Sequence, residues 1–182
     1  IIEMQGTQSN VLVEIVKAHT NIQRMEKNGK TIYRNANAAE SGQPCLYSRL
    51  SLEGIFDFMK EVALDDVRGL LDLQIDDNLK IAAEGLEHDW GANVGRTLRE
   101  QLGDAVAILA KALPAAGSDA RMSGCGLPVV INSGSGNQGL TASLPVLAYA
   151  SSLACTKERL YRALVLSNLV AIYQKSLLGK LS

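Results

Sequence analysis

The chain has 182 residues, a formal net charge of −1 and 47% apolar residues. Acids and bases that nearly cancel argue against a nucleic-acid footprint and against a polybasic membrane surface. No run approaches the roughly 20 apolar residues of a membrane span, and no secretory leader pattern opens the chain.

This length suits one domain, or one with a small appendage. The chain begins at Ile1 and not at Met, so it reads as a fragment of a longer protein. Its three cysteines, Cys45, Cys125 and Cys155, form no C-x-x-C pair and are odd in number. Free thiols in a reducing cytoplasm are the expectation, with no metal ligated by this chain. Abundant Ala, Leu and Gly with few aromatics suit close-packed helices.

The N-terminal part reads as β. "VLVEIVKA" is rich in β-branched residues, and "IQRMEK-NG-KTIYRN" carries a two-residue type I′ turn at Asn28 and Gly29. An unbroken hairpin from that turn pairs Met25 with Ile32 and Arg24 with Tyr33. His19, in "AHTN" where the first strand ends, titrates near neutrality without help. It reads either as an acid, base or carboxylate partner, or as a turn histidine with no task. The stretch "NANAAESGQP" then marks a boundary near residues 36 to 48.

From Ser51 the periodicity is helical. Ser51 is the expected N-cap, with Glu53 in the first turn and Leu52, Ile55, Phe56, Met59, Val62 and Ala63 as a stripe. "VRGLLDLQIDDNLKIAAEGLEHD" gives one or two helices with Leu79, Ala82, Ala83 and Leu86 inward. His88 reads as a partner for a helix C-terminus and Trp90 as a core plug. "NVGRTLREQL" and "DAVAILAKAL" are two more helices, the second expected to end at Pro114. After a glycine loop, "LTASLPVLAYASSL" is helical with a kink at Pro145, and a last helix starts at the Thr156 cap. The fold class is therefore α+β, with an antiparallel β-hairpin element over residues 1–47 and a mainly helical domain over 48–182.

The glycine loop, "LPVVINSGSGNQGLTASLPVL", contains G-x-G-x-x-G at Gly134, Gly136 and Gly139. A dinucleotide fold needs a second parallel strand ending in an acid about 20 residues on. The only acid at that distance, Glu158, starts a helix. A phosphate loop of the Walker type needs a Lys after the last Gly, and none is there. What remains is either a turn of backbone N–H groups opening a helix, suited to a small carboxylate, or a tight interhelical turn. Asn132, Ser133, Ser135, Asn137 and Gln138 add neutral donors and acceptors. Upstream, Asp119 and Arg121 flank a second glycine-bearing turn. Arg121 either grips a carboxylate in two places or pairs with Asp119 at the surface.

"HTNIQRMEKNG", "SDARMSGCGLPVVINSGSGNQGLTASLPVLAYA" and "ERLYRALVLSNLVAIYQKSLLGKLS" together resemble the serine dehydratase alpha-chain-like family, and within it the L-cysteine desulfidase branch. Ala18 stands where that family's G-H-T-N turn has Gly. The resemblance implies a lyase that eliminates the β-substituent of L-cysteine or L-serine, giving pyruvate and ammonia with sulfide or water. It also implies a [4Fe–4S] cluster held by three cysteines. Cys45, Cys125 and Cys155 match none of those positions, so the chain is expected to carry the substrate loop without the cluster and to be inactive alone.

By motif, Ser133, Gly134, Ser135, Gly136 and Asn137, with Gln138 beside them, would cradle the substrate carboxylate. Asp119, Arg121 and Asn132 would position the loop or the amino group. His19, as candidate catalytic group, with Thr20 and Asn21, would line an opposite wall. The expected partner is a small amino acid, with neither nucleic acid nor membrane, and a homodimer is possible. The alternative is a regulatory or scaffold module that keeps the fold without the metal.

Overall fold

The computed structural model describes residues 1–16, 21–35 and 46–178. The chain divides into two compact units, Ile1–Cys45 and Leu46–Ser182. The first is a four-stranded antiparallel meander in the order β1 (Ile2–Gln5), β2 (Asn10–Ile15), β3 (Ile22–Lys27), β4 (Lys30–Arg34). Its register places Ile2, Val13, Met25 and Tyr33 in one cross-strand row. Because side chains alternate along a strand, Glu14, Arg24 and Glu26 share the opposite face. There Arg24 pairs with Glu14 at 3.2 Å and with Glu26 at 3.0 Å.

The β3–β4 turn is the type I′ turn its Asn-Gly sequence demands, with φ of 52° at Asn28 and 74° at Gly29. The register beyond it differs from that of an unbroken hairpin. Glu26 faces Thr31, but Met25 faces Tyr33 and Arg24 faces Arg34. Ile32 is the extra residue of a β-bulge, which keeps Met25 and Tyr33 together on the apolar face.

The second unit is helical: α1 (Leu52–Glu61), α2 (Leu64–Glu87), α3 (Val94–Leu102), α4 (Val106–Met122), α5 (Gly136–Ser152) and α6 (Lys157–Leu178), preceded by a 3₁₀ turn at Leu46–Arg49. Ser51 caps α1, its Oγ accepting from Gly54 N–H at 3.1 Å, a bond that stabilises a helix by about 1 kcal/mol. Thr156 does the same for α6 through Arg159 N–H at 3.3 Å. Of the expected α1 stripe only Ile55 is buried; Leu52 and Phe56 stay about half exposed.

Helix α2 is the spine, packed by α4, α5 and α6. Its inward face is Leu71, Gln74, Asn78, Ile81, Ala82 and Gly85. Leu79 and Ala83, read from sequence as inward, face out, because two amides occupy the core-facing turn instead. One apolar cluster joins Ile81 and Ala82 to Ala120, Leu140, Leu144 and Leu147, with Trp90 packed against it. A second joins Leu71 to Tyr161, Leu164 and Val165. The helices approach closely: a Cβ on Gly85 would stand 2.1 Å from the Ala116 carbonyl oxygen.

Pro114 does not end a helix. It lies buried within α4, which continues to Met122; packing on α2, α3 and α5 outweighs the one lost backbone bond. Pro145 likewise lies inside α5. "LPVVI" forms no strand, and the described residues contain no parallel sheet, so the dinucleotide reading has no scaffold. No helix among the described residues is long and apolar enough to cross a membrane.

Candidate anion site at the start of helix α5

The loop reaches α5 through a two-residue hairpin turn. Asn132 N–H donates to Ser135 O at 3.0 Å, and Ser135 N–H to Asn132 O at 2.9 Å. Ser133 and Gly134 between them have φ of 50° and 80°, the left-handed pair of a type I′ turn. Ser135 is then the N-cap: its Oγ accepts from Gln138 N–H at 3.4 Å and its carbonyl from Gly139 N–H at 3.1 Å. The N–H groups of Ser133, Gly134, Gly136 and Asn137 have no acceptor among the described residues. Two of these are first-turn donors of α5, where the helix dipole favours negative charge.

The three glycines of G-x-G-x-x-G serve three different ends. Gly134 supplies the left-handed turn residue. Gly136 makes room for Arg121, whose Nε would lie 2.3 Å from a Cβ there. Gly139 lets α5 press on the extended segment before it, since a Cβ would stand 2.0 Å from the Val130 carbonyl oxygen. None of these roles involves a nucleotide.

Arg121 lies in the last turn of α4 and not in a glycine turn. Its Nη1 donates to Asn137 Oδ1 at 3.2 Å and contacts Met122 Sδ at 3.3 Å. Asp119 is not its partner. Asp119 Oδ2 accepts from Val94 N–H at 2.7 Å and so caps α3. No carboxylate among the described residues pairs with Arg121, which leaves a guanidinium, partly exposed, against the N-terminus of α5. Two sources of positive potential therefore meet at the Gly136–Asn137 backbone.

Beneath the loop lies a buried amide network that no sequence motif signals. Asn132, 4% exposed, donates from Nδ2 to the Asn168 carbonyl at 3.1 Å and to Asn168 Oδ1 at 2.9 Å. Asn168 and Gln74 exchange bonds of 3.0 and 2.8 Å, and Asn168 Nδ2 also reaches Leu164 O at 2.9 Å. Fully buried Asn78 accepts from Val130 N–H at 2.9 Å and donates to Gly139 O at 3.3 Å and Ser143 Oγ at 2.9 Å. The available signal was positional: Gln74 and Asn78 stand four apart on the stripe that otherwise reads Leu71, Ile81, Ala82.

Of the other residues read as functional, Gln138 turns its Nε2 to Ala171 O on α6 at 3.4 Å, away from the turn. Asn21 closes the β2–β3 corner, donating to Val16 O and accepting from Gln23, both at 2.8 Å. His19, Thr20 and Cys45 lie outside the described residues. His88 is the C-cap of α2, its Nδ1 3.1 Å from Glu84 Oε1, which also accepts from Trp90 Nε1 at 3.1 Å. Cys125 and Cys155 are free thiols, and no three His, Cys, Asp or Glu side chains among the described residues could together hold a metal ion.

On fold and site, this is an α+β protein whose helical unit presents a glycine-rich turn at a helix N-terminus. The family model described as serine dehydratase alpha chain matches residues 7–182, and the chain belongs to that family. It is similar to a UPF0597 protein of Lachnoclostridium phytofermentans, 50% identical over 182 residues, covering 100% of this chain and 44% of that one. A UPF0597 protein of Desulfitobacterium hafniense is 50% identical over 184 residues, covering 100% and 43%. One of Finegoldia magna is 44% identical over 182 residues, again 100% and 43%. The chain thus spans less than half the length of these relatives. No solved structure matches it.

Proposed function

We propose that this chain is the amino-acid-binding portion of a serine dehydratase-like lyase acting on L-serine or L-cysteine. The observation that carries this reading is the Arg121 guanidinium, paired with no carboxylate among the described residues, lying against the α5 N-terminus, where the Gly136 and Asn137 N–H groups have no acceptor among those residues. A small monoanionic carboxylate matches that set: the guanidinium takes it in two places, and the Gly136 and Asn137 amides complete its shell. The turn carries no Lys for a polyphosphate. Family membership supports the class of reaction.

In that reaction an α-proton and the β-hydroxyl or β-thiol leave together. The resulting aminoacrylate tautomerises and takes up water to give pyruvate and ammonia. The residues described here bind and orient the carboxylate, which fixes the Cα–H and the β-substituent in space for elimination. The described residues do not fit the ligand set of the [4Fe–4S] cluster that the family resemblance implies.

The test is an anaerobic assay of the intact protein, reconstituted with iron and sulfide, for pyruvate from L-serine and L-cysteine. Pyruvate from at least one, with Arg121→Gln raising KM about tenfold or more while melting as wild type, is the expected result. No pyruvate from either amino acid would leave the scaffold reading in its place.

A further inference from the structure

We infer that Ser133 is the specificity residue for the substrate's ammonium group, its hydroxyl proton held by Asn132 so that its oxygen faces the ligand as an acceptor. The inference rests on the carboxylate reading above and concerns the other end of the same ligand.

Hydrogen-bond direction fixes which atoms of this network accept and which donate. A main-chain carbonyl can only accept. Asn168 Nδ2 faces the Leu164 carbonyl at 2.9 Å, which fixes that amide; its Oδ1 must therefore point to Gln74 Nε2 and Asn132 Nδ2. Asn132 is fixed independently, because its Nδ2 also faces the Asn168 carbonyl at 3.1 Å. Asn132 Oδ1 is then the atom 2.8 Å from Ser133 Oγ. An amide oxygen cannot donate, so the Ser133 hydroxyl gives its single proton to it. The lone pairs left on Ser133 Oγ have no donor among the described residues, and Ser133 is partly exposed.

The turn consequently has two kinds of corner. Arg121 and the free backbone N–H groups only donate and suit a carboxylate. Ser133 Oγ, its proton engaged underneath, only accepts and suits an N–H of an ammonium group. Ser133 was grouped with the carboxylate cradle by motif; the network beneath it moves it to the opposite end of the ligand. Asn132 and Asn168 are positioning residues, acting through the orientation of the Ser133 hydroxyl.

The experiment is calorimetric titration of the intact protein with L-serine and with 3-hydroxypropionate, which is L-serine without its amino group. Wild type should favour L-serine about tenfold or more, the scale of a hydrogen bond to a charged group. Ser133→Ala should lower L-serine affinity by about that factor and leave 3-hydroxypropionate within about twofold. Both residues carry a Cβ, so the turn gains no strain from the exchange. Asn168→Leu, if folded, should lose the same preference, whereas Arg121→Gln should weaken both ligands. If Ser133→Ala weakens both ligands equally, or neither, the inference is overturned and the carboxylate reading stands. If wild type binds neither ligand, the carboxylate reading falls and takes this inference with it.

Discussion

Replacing Asn78 by Ala tests whether the amide network holds the glycine loop on the helical unit. Asn78 is fully buried and joins α2 to Val130, Gly139 and Ser143. Not every bond it makes is irreplaceable. The Gly139 carbonyl also accepts from Ser143 Oγ at 2.8 Å, so it keeps a partner after the substitution. Ser143 keeps that same bond as donor. The Val130 carbonyl loses only a long bond from Asn78 Nδ2, at 3.5 Å; the larger loss is at Val130 N–H, left without its 2.9 Å acceptor, which costs about 1–3 kcal/mol. The space vacated by the carboxamide adds a cavity cost of about 1 kcal/mol. A loss of about 2–4 kcal/mol is therefore expected, a large share of the roughly 5–15 kcal/mol that holds a domain together. Urea unfolding followed by far-UV circular dichroism measures it, as a lower midpoint at unchanged slope. Asn78→Asp keeps the acceptor for Val130 N–H but sets a carboxylate against the Gly139 carbonyl, and should cost at least as much. A loss under about 0.5 kcal/mol for Asn78→Ala would refute the reasoning, because the loop would then be held by something else.

Gly139→Ala forces a Cβ to within 2.0 Å of the Val130 carbonyl oxygen, a backbone atom that moves only if its segment shifts; a loss of about 3 kcal/mol or more is expected by thermal melting, and a near-neutral change would mean that α5 does not press on Val130. The Tyr161 hydroxyl, bonded to Asp72, is the largest influence holding the Asp72 carboxyl below its ordinary value, with Lys157 at 3.3 Å assisting. A depressed folded-state pKa contributes stability that is present above the unfolded value of about 4 and is lost as pH falls through the folded one. Tyr161→Phe should therefore flatten the acid limb of stability against pH below about 4 relative to wild type, measured by urea midpoints across that range; an unchanged acid limb would contradict it.

What was legible in the sequence was local. The Asn28–Gly29 turn, the Ser51 and Thr156 caps and the glycine turn before α5 each depend on residues within four positions of one another, and each forms as read. What was not legible depends on distant partners. Gln74 and Asn168 are 94 positions apart, Asn78 and Val130 52 apart, and only the packed helices bring them together. Pro114 misled for the same reason: its local preference to end a helix is real, but packing on three neighbouring helices decides. A surface pair of Asp119 with Arg121 was one of two readings open in sequence, where they are two positions apart; on a helix that spacing points them different ways, one to α3 and the other to α5.

In the reading proposed above, the start of α5, with Arg121 against it, holds the negative end of a small amino acid. Amide chemical-shift mapping of the ¹⁵N-labelled protein during titration with L-serine tests it most directly. Saturable shifts concentrated at Ser133, Gly134, Gly136 and Asn137 are expected, with their loss in Arg121→Gln. Shifts elsewhere with these four amides unmoved, or shifts that persist undiminished without the guanidinium, would contradict it.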